Sequence, residues 1–440
     1  MNIEILVEQN PWWKDKDKIE EDYDIQKWKE KDMHWEPEII NKISIKPFSF
    51  HILIGPRQVG KTTTLKLFIR KMLKKLKPES IFYFSCDNIK DYKELLDLLE
   101  TYFYFRNSIN IEKSIIILDE ITNVIEWHRA IKYLIDKGKL RYDVLIITGS
   151  TSLKIKREIE LFPGRRGYGK DLILLPLSFR EYLKITDFKL WKKIDPIKSL
   201  DDIEKKAVKA MIYLDELNKK LINYIKYGGF PISIKYPKER ENAKQIYLNW
   251  IKNAILKSER NDVIAREIIK AIIEKMPSAI SWEGISKEIE IKSPKTVSAY
   301  VDMFKNMFAL IVLYNIDITG KIKFGKNKKI HIIDPLIFEI FEDWCLLDIK
   351  NKESIIAESL AAIHLNRYFQ DKCFFLKNKN EVDILIKDKR KLYGFEVKWT
   401  EKKPVINKTP KIKSFVILSK KWFSKKPLTI PLSVFLSILE

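Results

Sequence analysis

Apolar and polar positions along this 440-residue chain change period several times, and each change outlines an element. Residues 48–54 form an almost unbroken apolar run, the pattern of a strand buried on both faces. Leu65, Phe68, Ile69, Met72, Leu73 and Leu76 then recur at i, i+3, i+4 spacing, which predicts a helix with one buried face. Apolar runs at 115–118, 144–147 and 172–175 supply further strands. Strands alternating with helices in this way predict an α/β fold built on a parallel sheet. Residues 186–265 keep helical periodicity without strand signals. Residues 1–45 are charged and rich in Trp, and are expected to form an extended arm across the chain's own core or a neighbour.

The pattern changes again after Asp262. Ile264, Ile268, Ala271 and Ile272 mark a helix, 282–289 a short second one, and Ser293-Pro294 the N-cap and first position of a third. Two strand-like pieces follow, 309–315 and 329–333, joined by a loop carrying Lys321, Lys323, Lys326 and Lys328. Three helices and a basic hairpin make a winged-helix layout, with Lys295 and Thr296 at the start of the third helix. Beyond it, Ile355, Ile356, Leu360 and Ile363 define another helix. Strands are expected at 384–386, 392–398 and 414–418.

Composition narrows what such a chain does. Hydrophobic residues make up 45% of it, so ordered domains are expected, and the length implies two to four of them. No apolar run is long enough for a bilayer, and the first residues lack a signal-peptide pattern, so no membrane partner is expected. Cys86, Cys345 and Cys373 are too scattered for a disulfide framework, which fits a reducing cytoplasm. The net charge is +22, from 82 basic and 60 acidic residues. Residues 351–440 hold 19 basic and 9 acidic residues, so 19 − 9 = +10 of that excess lies there. Such an imbalance points to a polyanion partner, and DNA is the expectation.

The loop after the first strand reads Gly55-Pro56-Arg57-Gln58-Val59-Gly60-Lys61-Thr62, followed by Thr63. It has the form G-x-x-x-x-G-K-[ST], between a strand and a helix, the context in which backbone N–H groups cradle phosphates. Lys61 would reach the β- and γ-phosphates of ATP, and Thr62 would ligate Mg²⁺. The run 115–118 ends in Asp119 and Glu120. Asp119 is the expected second Mg²⁺ ligand and Glu120 the general base that polarises the attacking water. The strand 144–147 ends in Thr148-Gly149-Ser150, where Ser150, with Thr148 next to it, would touch the γ-phosphate or position that water. Arg165 and Arg166, between Gly164 and Gly167, are candidate arginine fingers, DNA contacts or loop caps.

Taken together with Pro176-Leu177-Ser178-Phe179-Arg180-Glu181-Tyr182, these motifs resemble the archaeal and bacterial AAA+ ATPases related to the STAND class. Gln9-Asn10-Pro11-Trp12-Trp13 and Tyr227-Gly228-Gly229-Phe230-Pro231 are similar to archaeal members. The resemblance implies ATP and Mg²⁺ as cofactors, a homo-oligomer in the ATP-bound state, and Pro231 against the adenine. It also implies an organisation into an arm (1–45), a P-loop AAA+ core with a parallel sheet (46–185), a helical lid (186–261) and a winged helix (262–345), followed by a C-terminal α/β domain (346–440).

That last block carries a second set of acids. Glu358 lies on the predicted helix and Asp383 opens one strand. Glu396 and Lys398 project from one face of the next, two residues apart. The set resembles the restriction-endonuclease-like fold of PD-(D/E)xK type, with Glu381-Val382-Asp383 where Pro-Asp is common. The resemblance implies Mg²⁺ held by Asp383, Glu396 and Glu358, with Lys398 activating water against a phosphodiester. The leading expectation is an ATP-hydrolysing protein that acts on DNA, coupled to Mg²⁺-dependent cutting. The alternative is a STAND-like nucleotide switch whose C-terminal domain binds nucleic acid or protein without catalysis. A third reading is a transcription regulator acting through the winged helix.

Overall fold

The structure is a computed structural model and describes residues 3–30, 33–149, 162–235, 239–317, 319–377, 381–388, 391–404, 412 and 414–439. Its contacts divide the chain into two compact units, Met1–Leu175 and Pro176–Glu440. The expected segments 186–261, 262–345 and 346–440 all fall within the second unit.

The first unit is built on a parallel sheet. Its strands are β1 (Ser49–Ile54), β2 (Ile81–Ser85), β3 (Ile115–Asp119), β4 (Val144–Gly149) and β5 (Asp171–Ile173), in the order β2-β3-β4-β1-β5. Registers such as Ile52↔Ile147 and Leu118↔Ile147 bring the C-terminal ends of β1, β3 and β4 side by side. Every residue of β1, β3 and β4 is buried, which explains their near-continuous apolar sequences. The helix Lys61–Met72 buries Leu65, Phe68 and Ile69 as the spacing predicts. It stops at Met72, however, and Leu76 is exposed, because residues 73–76 form the turn out of the helix.

The arm departs from expectation. It is not extended. It forms the helix Ile3–Gln9, two 3₁₀ turns (Pro11–Trp13 and Lys16–Glu21) and the helix Tyr23–Lys29. Strand β2 is the edge of its sheet, and side chains of the arm complete it. Asn10 donates to the Tyr83 carbonyl at 2.9 Å and accepts from the Tyr83 N–H at 2.7 Å. The Trp12 and Trp13 indoles both donate to the Ile81 carbonyl at 3.0 Å, and Gln9 accepts from the Ser85 N–H at 2.7 Å. Side-chain amides and indoles thus do what a further strand would do, and blunt the edge. Trp13 also stacks on Tyr102 and Phe105. The arm's acids pair with the helix Lys61–Met72, through Asp22 to Lys66 at 3.0 Å and Glu20 to Arg70 at 2.6 Å.

The second unit opens with helices, among them Phe179–Thr186, Leu214–Tyr227 and Arg240–Lys257. Next come Asp262–Lys275, Trp282–Glu288 and Pro294–Asn306, the last capped by Ser293, whose side chain accepts from the Lys295 N–H. The hairpin β6 (Leu310–Asn315) and β7 (Lys328–Ile332) follows. It does not stand alone. Strand β6 pairs with β8 (Cys373–Lys377), at Tyr314↔Phe374 and Asn315↔Phe375. Through β8 it joins β9 (Glu381–Asp388), β10 (Lys391–Lys398), β11 (Ser414–Ser419), β12 (Ser424–Lys425) and β13 (Leu428–Pro431). Among the described residues this makes one mixed sheet of eight strands, ordered β12-β13-β11-β10-β9-β8-β6-β7. The helix Lys352–Phe369 packs on β7, β8, β9 and β10.

Candidate functional site

The first site is assembled where β1, β3 and β4 end. Leaving β1, the chain turns through Gly55. A Cβ there would lie 2.1 Å from the Leu174 carbonyl oxygen, so only glycine fits. Gln58 and Gly60 take left-handed backbone angles (φ 61 and 91°), and Val59 is fully buried as the anchor between them. The loop runs straight into the helix beginning at Lys61, so its N–H groups and the helix N-terminus share one concavity.

Lys61 is buried. Its Nζ donates to the Gly55 and Pro56 carbonyls, each at 3.2 Å, and lies 3.8 Å from Glu120 Oε1. Burial pushes its pKa below the ordinary lysine value, against the pull of Glu120 and Asp119. Asp119, at the end of β3, is 2% exposed. Its Oδ2 accepts from the Thr62 hydroxyl at 2.8 Å and the Tyr83 hydroxyl at 3.1 Å. Its Oδ1 accepts from the Thr148 hydroxyl and from the Glu120 N–H at 3.2 Å. Thr148 Oγ1 also accepts from the Glu120 N–H at 2.9 Å, so β4 fixes the turn after β3.

Glu120 adopts a left-handed conformation (φ 51°) that swings its side chain off the strand end. Burial raises its pKa above the usual carboxylate value, opposed by Lys61. Its Oε2 is buried without a hydrogen-bond partner. An orphaned carboxylate oxygen beside a phosphate loop is where an ordered water would be held. The Thr62 hydroxyl and Asp119 carboxylate, already in contact, form the hard-oxygen pair that Mg²⁺ takes while keeping waters and phosphate oxygens as its other ligands. These residues therefore fit the group.

Ser150 lies outside the described residues; Thr148, near the end of β4, makes the contact with Asp119. Arg165 donates to Asp136 Oδ1 at 2.7 Å. Arg166 pairs with Asp171 at 2.8 Å and reaches the Phe50 carbonyl. Both arginines thus have partners within the first unit. Thr63 is half-buried on the helix and Arg57 is exposed. Pro231 belongs to the second unit, where it opens the helix Pro231–Lys235. Just before it, Gly228 has φ 76°, and the Gly229 N–H donates to Asp334 Oδ2 at 2.7 Å.

The second unit does bring the expected C-terminal acids together, though not as a metal group. Registers between β9 and β10 run to Phe395↔Ile384, which sets Asp383 opposite Glu396. The Val397 N–H donates to Asp383 Oδ2 at 2.9 Å. Lys398 Nζ holds Glu396 Oε1 at 2.7 Å. Between them sits a residue that sequence reasoning missed. Lys329, 2% exposed on its side chain, places Nζ 3.0 Å from Glu358 Oε1, 2.7 Å from Asp383 Oδ1 and 3.1 Å from Glu381 Oε1. Its carboxylate neighbours outweigh burial and hold its pKa well above the ordinary lysine value. Burial and the Asp383 charge push Glu358 well above the carboxylate range. Among the described residues, no group of three His, Cys, Asp or Glu is arranged to hold a metal ion. The expected Mg²⁺ ligands Glu358, Asp383 and Glu396 therefore meet around an ammonium or pair with Lys398, and do not fit a metal as they stand. The sequence carries little signal for it: Lys329 lies in β7, whose sequence Lys-Lys-Ile-His-Ile does not set a buried lysine apart.

Comparison with known proteins adds the following. The chain is 27% identical over 369 residues to an uncharacterized protein of Methanocaldococcus jannaschii, covering 79% of this chain and 75% of that one. A second uncharacterized protein from the same organism is 28% identical over 297 residues, covering 64% and 60%. Among solved structures, a Walker-type ATPase of Pyrococcus abyssi is similar at 13% identity and a TM-score of 0.39, covering 67% of this chain and 91% of that one. The ORC2 protein of Aeropyrum pernix is similar at 11% identity and a TM-score of 0.38, covering 71% and 98%. Residues 48–183 match the family model described as an AAA domain. Strand order, phosphate loop and paired carboxylates agree with that match, and this stretch of the chain has the P-loop architecture of an AAA domain.

Proposed function

We propose that the first unit binds ATP with Mg²⁺ and hydrolyses it, and that the chain acts on DNA. The supporting observation is the set of contacts around Asp119 and Glu120. Thr62 and Asp119 would hold the ion, which supplies charge neutralisation at the phosphates. Lys61 would exchange its two loop carbonyls for phosphate oxygens, which are the stronger acceptors. Glu120, with a raised pKa and a free buried oxygen, would hold and polarise the attacking water. Thr148 keeps the Glu120 turn and Asp119 in register. DNA as partner is supported by the +22 charge and its concentration toward the C-terminus.

The test compares wild type with Glu120→Gln and Lys61→Ala. Glu120→Gln is expected to bind ATP normally and to hydrolyse it about 10²–10⁴-fold more slowly. Lys61→Ala is expected to lose both binding and turnover. Turnover that survives Lys61→Ala refutes the reading. For DNA, binding that falls steeply as salt rises and ATPase stimulation by DNA are expected; salt-independent binding refutes that part.

The lysine among the C-terminal acids favours a second reading of that domain. In it, nucleotide state switches the chain, also through assembly of copies in the ATP state, and the domain binds without cutting. Arg165, Arg166, Pro231 and the three helices 262–306 would serve that switch as finger, adenine contact and DNA-facing element.

A further inference from the structure

In the second unit, four carboxylates gather on and against the sheet: Glu358 from the helix Lys352–Phe369, Glu381 and Asp383 from β9, and Glu396 from β10. Asp383 and Glu396 follow the pair Phe395↔Ile384 on adjacent strands, and like charges gathered this closely destabilise a sheet unless cations offset them. Both cations belong to the chain: Lys398 pairs with Glu396, and Lys329 serves the other three acids. Lys329 reaches in from β7, and its Nζ lies 2.7–3.1 Å from three carboxylate oxygens. It donates hydrogen bonds to Glu358 Oε1 and Asp383 Oδ1 and pairs with Glu381 by charge. Of the remaining oxygens, Asp383 Oδ2 takes the Val397 N–H and Glu396 Oε1 takes Lys398, while Glu396 Oε2 is buried without a hydrogen-bond partner.

We propose that Lys329 is a built-in counter-ion occupying the position a divalent metal would need, so that the C-terminal acid cluster is neutralised without a metal. Three features support the assignment over a chance ion pair. First, Nζ contacts three acids from two different elements. Second, the side chain is almost wholly buried, whereas ordinary lysines stay in water. Third, β7 and β9 are not neighbours in the sheet; both pack on the same helix, and Glu358 on that helix lies where the two reach the same point. The lysine thereby ties the β6–β7 hairpin to the core of the acid site. Mg²⁺ would have to displace a buried ammonium that donates to two carboxylates and pairs with a third, and it tolerates only near-octahedral oxygen geometry. The assignment deepens the non-cutting reading above and does not depend on the ATP site.

The experiment is a Mn²⁺ titration of the full-length protein without nucleotide, followed by electron paramagnetic resonance of the free ion. The variants are Asp383→Asn, Lys329→Met and the double Lys329→Met/Asp383→Asn. Wild type and Asp383→Asn are expected to bind the same amount of Mn²⁺. Lys329→Met is expected to bind about one more ion per chain, lost again in the double variant. Wild type binding one ion more than Asp383→Asn overturns the proposal, as does a folded Lys329→Met that gains none. Should Lys329→Met not fold, the wild-type and Asp383→Asn pair decides alone. Incubating wild type and Asp383→Asn with plasmid and Mg²⁺ separates the two ideas. Cutting that depends on Asp383 refutes the non-cutting reading, whereas the Mn²⁺ arms bear on Lys329.

Discussion

Lowering the pH should destabilise the second unit through one buried imidazole, His364, which is 3% exposed on the helix Lys352–Phe369. Its Nε2 accepts from the Phe179 N–H at 2.8 Å, and its Nδ1 donates to the Leu360 carbonyl at 2.7 Å. That pairing admits only the neutral ring, because a protonated Nε2 would point a second hydrogen at an N–H. Burial, reinforced by the Arg367 guanidinium, pushes the pKa down to about 3. In the unfolded chain it returns to about 6.5. The unfolded state therefore takes up the proton first. The stabilisation is full above pH ~6.5 and falls as the pH drops toward the folded value. Between pH 7.5 and 5 the unfolded chain gains roughly 1.5 pH units of protonation that the native state does not, a loss of about 2 kcal/mol. Other groups also titrate in this window, so the comparison is with His364→Gln, which keeps an acceptor for the Phe179 N–H. Unfolding free energies from urea denaturation, followed by circular dichroism, are measured for both proteins at pH 7.5 and 5. The gap between wild type and variant should shrink by about 2 kcal/mol at the lower pH. A gap that stays constant, or an imidazole resonance titrating near 6.5, refutes the assignment.

Three other expectations follow from single contacts. Arg106→Ala strands the fully buried Asp143, which now receives Arg106 Nη1 at 2.6 Å; the urea midpoint should fall by the equivalent of about 3–5 kcal/mol. Asn10→Ala removes the amide that pairs with both backbone groups of Tyr83 and should destabilise the first unit by about 3 kcal/mol, read by thermal unfolding, while leaving the isolated loop chemistry intact. Gly55→Ala drives a Cβ to 2.1 Å from the Leu174 carbonyl and should weaken binding of a fluorescent ATP analogue at least about tenfold; unchanged binding would show that the loop yields without cost.

Much of the first unit is legible in the sequence, for local reasons. A phosphate loop is a contiguous run, and strands buried on both faces show as unbroken apolar stretches. The positions of Lys61, Thr62, Asp119 and Glu120 can be read because each sits at a strand end or helix start that periodicity locates. Arg165 and Arg166 are singled out by the same loop signal, yet that signal does not show that Arg165 pairs with Asp136 on another segment, or Arg166 with the nearby Asp171. The arm shows the same divide. Its Trp and Asn were conspicuous, but nothing local indicates that side chains would stand in for a strand along β2.

The sequence by itself determined the alternation of strands and helices, the nucleotide loop with its two carboxylates, and the presence of acids and lysines in the C-terminal block. Each of these is written in neighbouring residues, through a period of two or 3.6 or through a turn that only glycine can make. Only the tertiary structure decided which charges meet. Lys329 and Asp383 are 54 positions apart, and their contact exists because one helix packs on both of their strands. Thr148 meets Asp119 because β3 and β4 are paired in parallel register. Burial then sets the consequence. In water the C-terminal acids and lysines would be a loose ionic surface; with Lys329, Glu358 and Asp383 buried, the ammonium and these two carboxylates satisfy one another, and the partly exposed Glu381 adds a third negative charge beside them.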